Sequence, residues 1–138
     1  MKGIFSNKGE ECMFYWLKDN VYSDLKPAPD KYKFYDCYSM NDKSIIELKY
    51  RTSHYDTLLI EKIKYDKLVF NFFVHNYKPL YINETPKGIY SFNLSLTEPE
   101  WQINYKNPKT TQFTNNNRVP KEVAYLDVKD AIILKSYQ

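Results

Sequence analysis

The chain reads as a single α/β domain of three layers, a mixed β-sheet with a helix against each face, and three stretches carry that reading. Phe34 to Arg51, FYDCYSMNDKSIIELKYR, has the pattern of a β-hairpin; a helix-start signature precedes it at Asn7 to Glu10; and helical and alternating apolar runs follow it. At 138 residues with 43% hydrophobic content the chain can bury one core, so residues 1–138 are expected to form one unit with no second domain. No internal repeat is apparent.

Asn7-Lys8-Gly9-Glu10 has the spacing of a capping box, which predicts a helix over residues 8–19. At helical spacing Glu10 shares a side with Met13, Phe14, Leu17 and Val21, while Glu11 projects with Lys18. A carboxylate centred on an apolar stripe is unusual. The cap explains Glu10, and so does a role at a site. Pro27 and Pro29 then make Val21 to Lys31 a connection leading into a strand expected near Tyr32.

In the hairpin, Asn41 and Asp42 tolerate the left-handed backbone of a tight turn, and β-branched and aromatic flanks suit paired strands. A turn centred between them opposes Met40 to Lys43, Tyr38 to Ile45 and Asp36 to Glu47. Cross-strand neighbours lie roughly 4.5–5.5 Å apart at Cβ. Two carboxylates at that distance on a half-buried surface repel unless a cation lies between them, and a divalent ion would serve. Alternation puts Lys49 on the face of Glu47 and turns Leu48 into the core on the other face. A solvated hairpin face can carry such mixed charge by chance; the apolar Ser-Ile-Ile lead-in and the opposed Asp favour a built cluster of Asp36, Glu47 and Lys49.

After the hairpin, Thr52 or Ser53 can cap a second helix with Tyr55, Leu59, Ile60 and Ile63 along one side. Lys62, Lys64 and Lys67, interspersed with Glu61 and Asp66, suggest a solvated face. The run LVFNFFVHN, Leu68 to Asn76, either extends that helix or starts a buried strand. Pro79 to Asn83 and Gly88 to Leu96 read as strands around a Thr85-Pro86-Lys87-Gly88 turn. Residues 98–120 form the longest loop. Its Trp101, Tyr105, Lys106, Lys109, Asn115-Asn116-Asn117 run and Arg118 suit contact with nucleic acid, or equally a surface loop anchored by Trp101. Glu122 to Leu126 reads as a last strand, followed by a terminal element from Val128 to Leu134.

A net charge of +3 and a pI near 8.7 permit a polyanionic partner without requiring one. With no basic-then-apolar leader and no apolar run of roughly 18–20 residues, the expected location is intracellular, in the cytoplasm, with no membrane contact. Cys12 and Cys37, without a C-x-x-C spacing, are expected to be small buried hydrophobes. His54 and His75 show no metal-ligand spacing and no Gly-rich phosphate loop occurs, which argues against zinc, P-loop and triad chemistry.

Asp36 followed by Glu47-Leu48-Lys49 resembles the motif of the PD-(D/E)xK nuclease superfamily, which includes many restriction enzymes, Holliday-junction resolvases and phage nucleases. TSHYDTLLIEKIKYDKL after it resembles the helix behind the site in phage members, and the resemblance covers residues 6–70. Tyr35 stands where a Pro often precedes the Asp. The resemblance implies a restriction-endonuclease-like fold and a divalent-metal-dependent deoxyribonuclease, an endonuclease leaving 5′-phosphate and 3′-hydroxyl ends. It implies Mg²⁺, or Mn²⁺ as substitute, held by Asp36, Glu47 and the Leu48 carbonyl, with Lys49 acting on the attacking water and the transition state. Glu10 would be a third acid, from a first helix laid over the carboxylate face. Arg51, Lys64, Tyr65 and Arg118 would contact nucleic acid. The partner would be DNA, cut in a structure-directed way or by a homodimer, with a phage-infected bacterial host as one setting. The rival readings are a non-catalytic nucleic-acid- or protein-binding module on the same fold, and a small phage structural protein.

Overall fold

The computed structural model describes residues 5–30, 33–104 and 120–137. Helix α1, Lys8–Asn20, starts where the capping box puts it: the Glu10 N–H donates to Asn7 Oδ1 at 2.8 Å, and the Asn7 amide reaches back to the Glu10 carboxylate at 3.4 Å. Strand β1, Lys26–Pro27, pairs antiparallel with β2, Cys37–Ser39, which pairs with β3, Ser44–Tyr50. The β2–β3 register, Tyr38 to Ile45 and Ser39 to Ser44, is the one a turn centred between residues 41 and 42 dictates. Lys43 closes that turn with a φ of 54°.

The strand expected near Tyr32 begins instead at Cys37. The Ala28 N–H donates to the Asp36 carbonyl at 2.9 Å, next to the Pro27–Cys37 pair of the β1–β2 ladder. A second correction concerns the helix expected from Thr52 or Ser53. Thr57–Glu61 is strand β4, and helix α2 runs only over Lys62–His75. The apolar run at 58–60 is too short to settle its own period, and pairing with strand β8, Lys121–Asp127, makes it a strand in which Leu58 and Ile60 are alternately buried. The ambiguous LVFNFFVHN run is helical up to His75, where Asn76 ends α2 in the left-handed conformation at φ 59°.

Strands β5, Lys78–Thr85, and β6, Gly88–Asn93, flank the expected turn. β6 stops at Asn93 because its side chain accepts from the Ser95 N–H at 3.0 Å and opens a 3₁₀ turn over Leu94–Leu96. Strand β7, Gln102–Asn104, lies inside the stretch read as loop and pairs with β8. The terminal element resolves into a 3₁₀ turn, Val128–Asp130, and strand β9, Ile132–Ser136.

The main sheet has the order β1-β2-β3-β5-β6-β9 and is mixed, since β3 and β5 run parallel and the other neighbours antiparallel. On one face Met13, Phe14 and Leu17 of α1 pack on Ile46, Leu48, Leu80 and Ile82. On the other, Ile45, Tyr81 and Phe92 meet Leu68 of α2 together with Leu58, Ile60 and Ala124. The outer layer there is α2 joined by a second sheet, β4-β8-β7, which the sequence did not announce. Cys37 is buried as expected, whereas Cys12 is exposed on α1 because it lies off the apolar stripe.

Ile82, fully buried between α1 and the sheet, should cost about 2–5 kcal/mol when cut to Ala. Phe73→Ala, at a side chain 78% exposed, should cost little; urea denaturation of both variants checks the contrast.

Candidate active site

The ladder between β2 and β3 ends at Cys37, and Asp36 departs from it. The Asp36 N–H donates to the Ile46 carbonyl at 2.9 Å, while its Oδ2 accepts the Leu48 N–H at 2.7 Å. That bond holds the Asp36 carboxylate against β3 beside Glu47, so the two acids predicted to oppose each other are neighbours. Glu47, its side chain 15% exposed, points away from the Leu48 core and meets Lys64 of α2, with Nζ 3.1 Å from Oε2.

Burial raises both carboxyl pKa values. Glu47 is pushed up to about 8 by loss of solvent and then by the charge of Asp36, against the pull of Lys64. Asp36 is also raised by burial, an effect opposed by the Leu48 N–H, by Lys64 and by a hydrogen bond with Glu47. The pair is thus short of positive charge even with Lys64 in place.

Lys49 is exposed and lines a cleft of about 180 Å³ with Glu47, Arg51, Lys64 and Tyr81, which confirms that residues 47, 49 and 51 share a face. Glu10 is 6% exposed, and its pKa is raised by burial and by Asp36, with Lys49 and Ser6 opposing. It therefore caps α1 and stands within the electrostatic reach of the pair. Its route differs from the expected one: α1 lies over the Leu48 face, not the carboxylate face, because Met13, Phe14 and Leu17 need the apolar side of β3. Gly9 lets this happen. A Cβ there would run into the ring of Tyr50, so the first turn of α1 can seat against the end of β3 only with glycine at that position.

The expected nucleic-acid contacts fall in different places. Arg51 directs its guanidinium inward, Nε to Asn83 Oδ1 at 2.7 Å and Nη2 to the Leu59 carbonyl at 2.8 Å and the Tyr81 hydroxyl at 3.1 Å. Tyr81 also donates to the Leu59 carbonyl at 2.9 Å, and burial lifts its phenol to about 12. This network ties β3 and β5 to β4, and nothing in the sequence pattern announced it. Tyr65 packs edge-on against Trp101, ring centroids 5.2 Å apart, as an anchored loop requires. Lys64 sits on the carboxylate pair. Arg118, with Tyr105, Lys106, Lys109 and the Asn run, lies outside the described residues.

Among the described residues no three His, Cys, Asp or Glu side chains gather as a metal-ligating group. The donor set on the site's face is the Asp36–Glu47 pair, hard oxygens of the type divalent Mg²⁺ and Mn²⁺ take, with main-chain oxygen adjacent on β3.

No family model and no curated protein matches the chain. In structure it is similar to Archaeoglobus fulgidus Hjc, a Holliday junction resolvase from an archaeal hyperthermophile, with a TM-score of 0.58 over 95% of this chain and 97% of that one, at 13% identity. The fold is restriction-endonuclease-like. Within that restriction-endonuclease-like frame, the hairpin carrying Asp36 and Glu47 lies beside β5 in the middle of the main sheet.

The raised Glu47 pKa gives a signed pH dependence. Between the ordinary value of 4.5 and about 8 the folded protein holds a proton that the unfolded chain has released, so rising pH removes stability across that window. In metal-free protein Glu47 alone contributes at most ~1.4 kcal/mol per pH unit, one proton's worth, and the raised Asp36 and Glu10 act with the same sign. Urea midpoints measured in chelator through this range should fall for wild type and stay flatter for Glu47→Gln.

Proposed function

We propose that the chain is a divalent-metal-dependent deoxyribonuclease, an endonuclease that hydrolyses DNA phosphodiester bonds to 5′-phosphate and 3′-hydroxyl ends. The observation that carries the reading is the half-buried Asp36–Glu47 pair with Lys49 on the same face of a restriction-endonuclease-like sheet. Asp36, Glu47 and the Leu48 carbonyl would hold Mg²⁺ or Mn²⁺, which when bound supplies a Lewis acid for the phosphate oxygens. Lys49, exposed beside that pair, positions a water for in-line attack, assists its deprotonation and offsets charge building on the phosphorane-like transition state. Glu10, buried at the start of α1 and within electrostatic reach of both Asp36 and Lys49, is the third acid bordering the site.

The likeness to a Holliday junction resolvase supports DNA as partner and branched DNA as the first substrate to try. Structure-directed cutting, with a homodimer completing the DNA groove, is the mode that likeness supports. No helix among the described residues is long and apolar enough to cross a membrane, and the proposed setting is the cytoplasm.

A second reading, a non-catalytic binding module, is favoured by the occupation of Glu47 by Lys64 and by the absence of a three-ligand cluster among the described residues. Two variants separate the readings. Asp36→Asn should abolish Mn²⁺ binding by calorimetry while the far-ultraviolet circular dichroism is kept; unchanged affinity would remove the metal site. Lys49→Ala should slow cleavage roughly 10²-fold or more with little change in metal or DNA affinity. Wild-type protein inert with Mg²⁺ and Mn²⁺ on linear, circular, branched and single-stranded DNA would establish the module instead.

A further inference from the structure

Lys64 is, among the described residues, the one cation in ion-pair contact with Glu47, and its place in α2 is unusual. It belongs to the first turn of that helix, which carries Lys62 and Lys64 and no acidic residue, and Glu61 at the N-cap makes no side-chain capping bond. The N-terminal end of a helix is its positive end and favours anions, so two lysines there run against the dipole. Each therefore needs a carboxylate of its own. Lys62 has Asp66 at 2.8 Å, one turn along, and Lys64 has Glu47, across the cleft on β3. The other nearby acid, Glu61, is taken by Lys121 at 3.4 Å.

We propose that Lys64 is a resident counter-ion, which holds the Asp36–Glu47 pair in the metal-free protein, gives way when a divalent cation enters, and then turns its ammonium to a DNA phosphate in the same cleft. The inference rests on the metal-binding reading given above. The geometry permits the exchange: Lys64 is 39% exposed on the solvent side of the cleft, whereas Glu47 is held on the sheet, so the cation and not the carboxylate is the mobile partner. The helix dipole adds to the Mn²⁺ charge in driving the ammonium outward, towards an anion that can sit at both the helix end and Lys49.

The test is Mn²⁺ calorimetry on the full chain, in alkaline buffer so that protons do not compete, for wild type, Lys64→Met and Lys64→Arg. Removing a unit charge from the site should tighten Mn²⁺ binding in Lys64→Met by roughly tenfold, with Lys64→Arg close to wild type. Metal-free Lys64→Met should melt below wild type, and Mn²⁺ should close the gap. With Ca²⁺ bound, wild type should hold a four-way DNA junction more tightly than Lys64→Met does. Equal or weaker Mn²⁺ affinity in Lys64→Met, with wild type binding normally, overturns the inference alone. If wild type takes up no Mn²⁺, the metal-binding reading falls and the inference with it. Should Lys64→Met fail to fold, Lys64→Gln puts the same comparison, with the same two outcomes.

Discussion

Two carboxylates held side by side on a half-buried surface need positive charge near them, and much of this protein can be understood as the means of supplying it. Asp36 is drawn onto β3 by the Leu48 N–H, Glu47 is met by Lys64 from α2, and Lys49 stands on the same face, while Glu10 adds to the negative charge that has to be met. Even so, burial leaves both acids reluctant to ionise. A surface that keeps such a pair carries a cost in stability, and the proposed metal would offset it.

The parts of this arrangement that were legible in the sequence are those set by local rules. Asn41-Asp42 specifies a turn and thereby a register, so the opposition of residues 36 and 47 follows from counting. Asn7 and Glu10 specify their helix start in the same local way. What stayed hidden depends on distant partners. Thr57–Glu61 has a pattern compatible with helix, and only pairing to β8, far along the chain, makes it a strand. The same distance hides β7, the second sheet, the partner of Lys64 and the inward turn of Arg51. Pattern placed α1 correctly along the chain, but the carboxylate face was the wrong place to lay it: its apolar stripe could pack only on the Leu48 side.

The second sheet gives the cleft its far wall. Because Arg51 and the Tyr81 hydroxyl both bind the Leu59 carbonyl, β4 is fastened to the middle of the main sheet one turn of chain before α2 begins. The position of Lys64 relative to Glu47 is therefore inherited from a hydrogen-bonded junction between sheets. Asn83 joins that junction through its oxygen, while its amide nitrogen has no hydrogen-bond partner among the described residues.

Glycine is scarce in this chain, three in all, and Gly9 shows what the scarcity means for its evolution. In most helices an interior glycine is a position free to drift to alanine, with a gain of about 1 kcal/mol in helix propensity. Here the ring of Tyr50 occupies the space that any side chain would need. A side chain at residue 9 is thus admitted only if the ring at residue 50 gives way, whereas a smaller residue at 50 leaves Gly9 undisturbed. Since Glu10 and Lys49 are the chain neighbours of that contact, a side chain at residue 9 would also shift the acid relative to the lysine whose charge it feels.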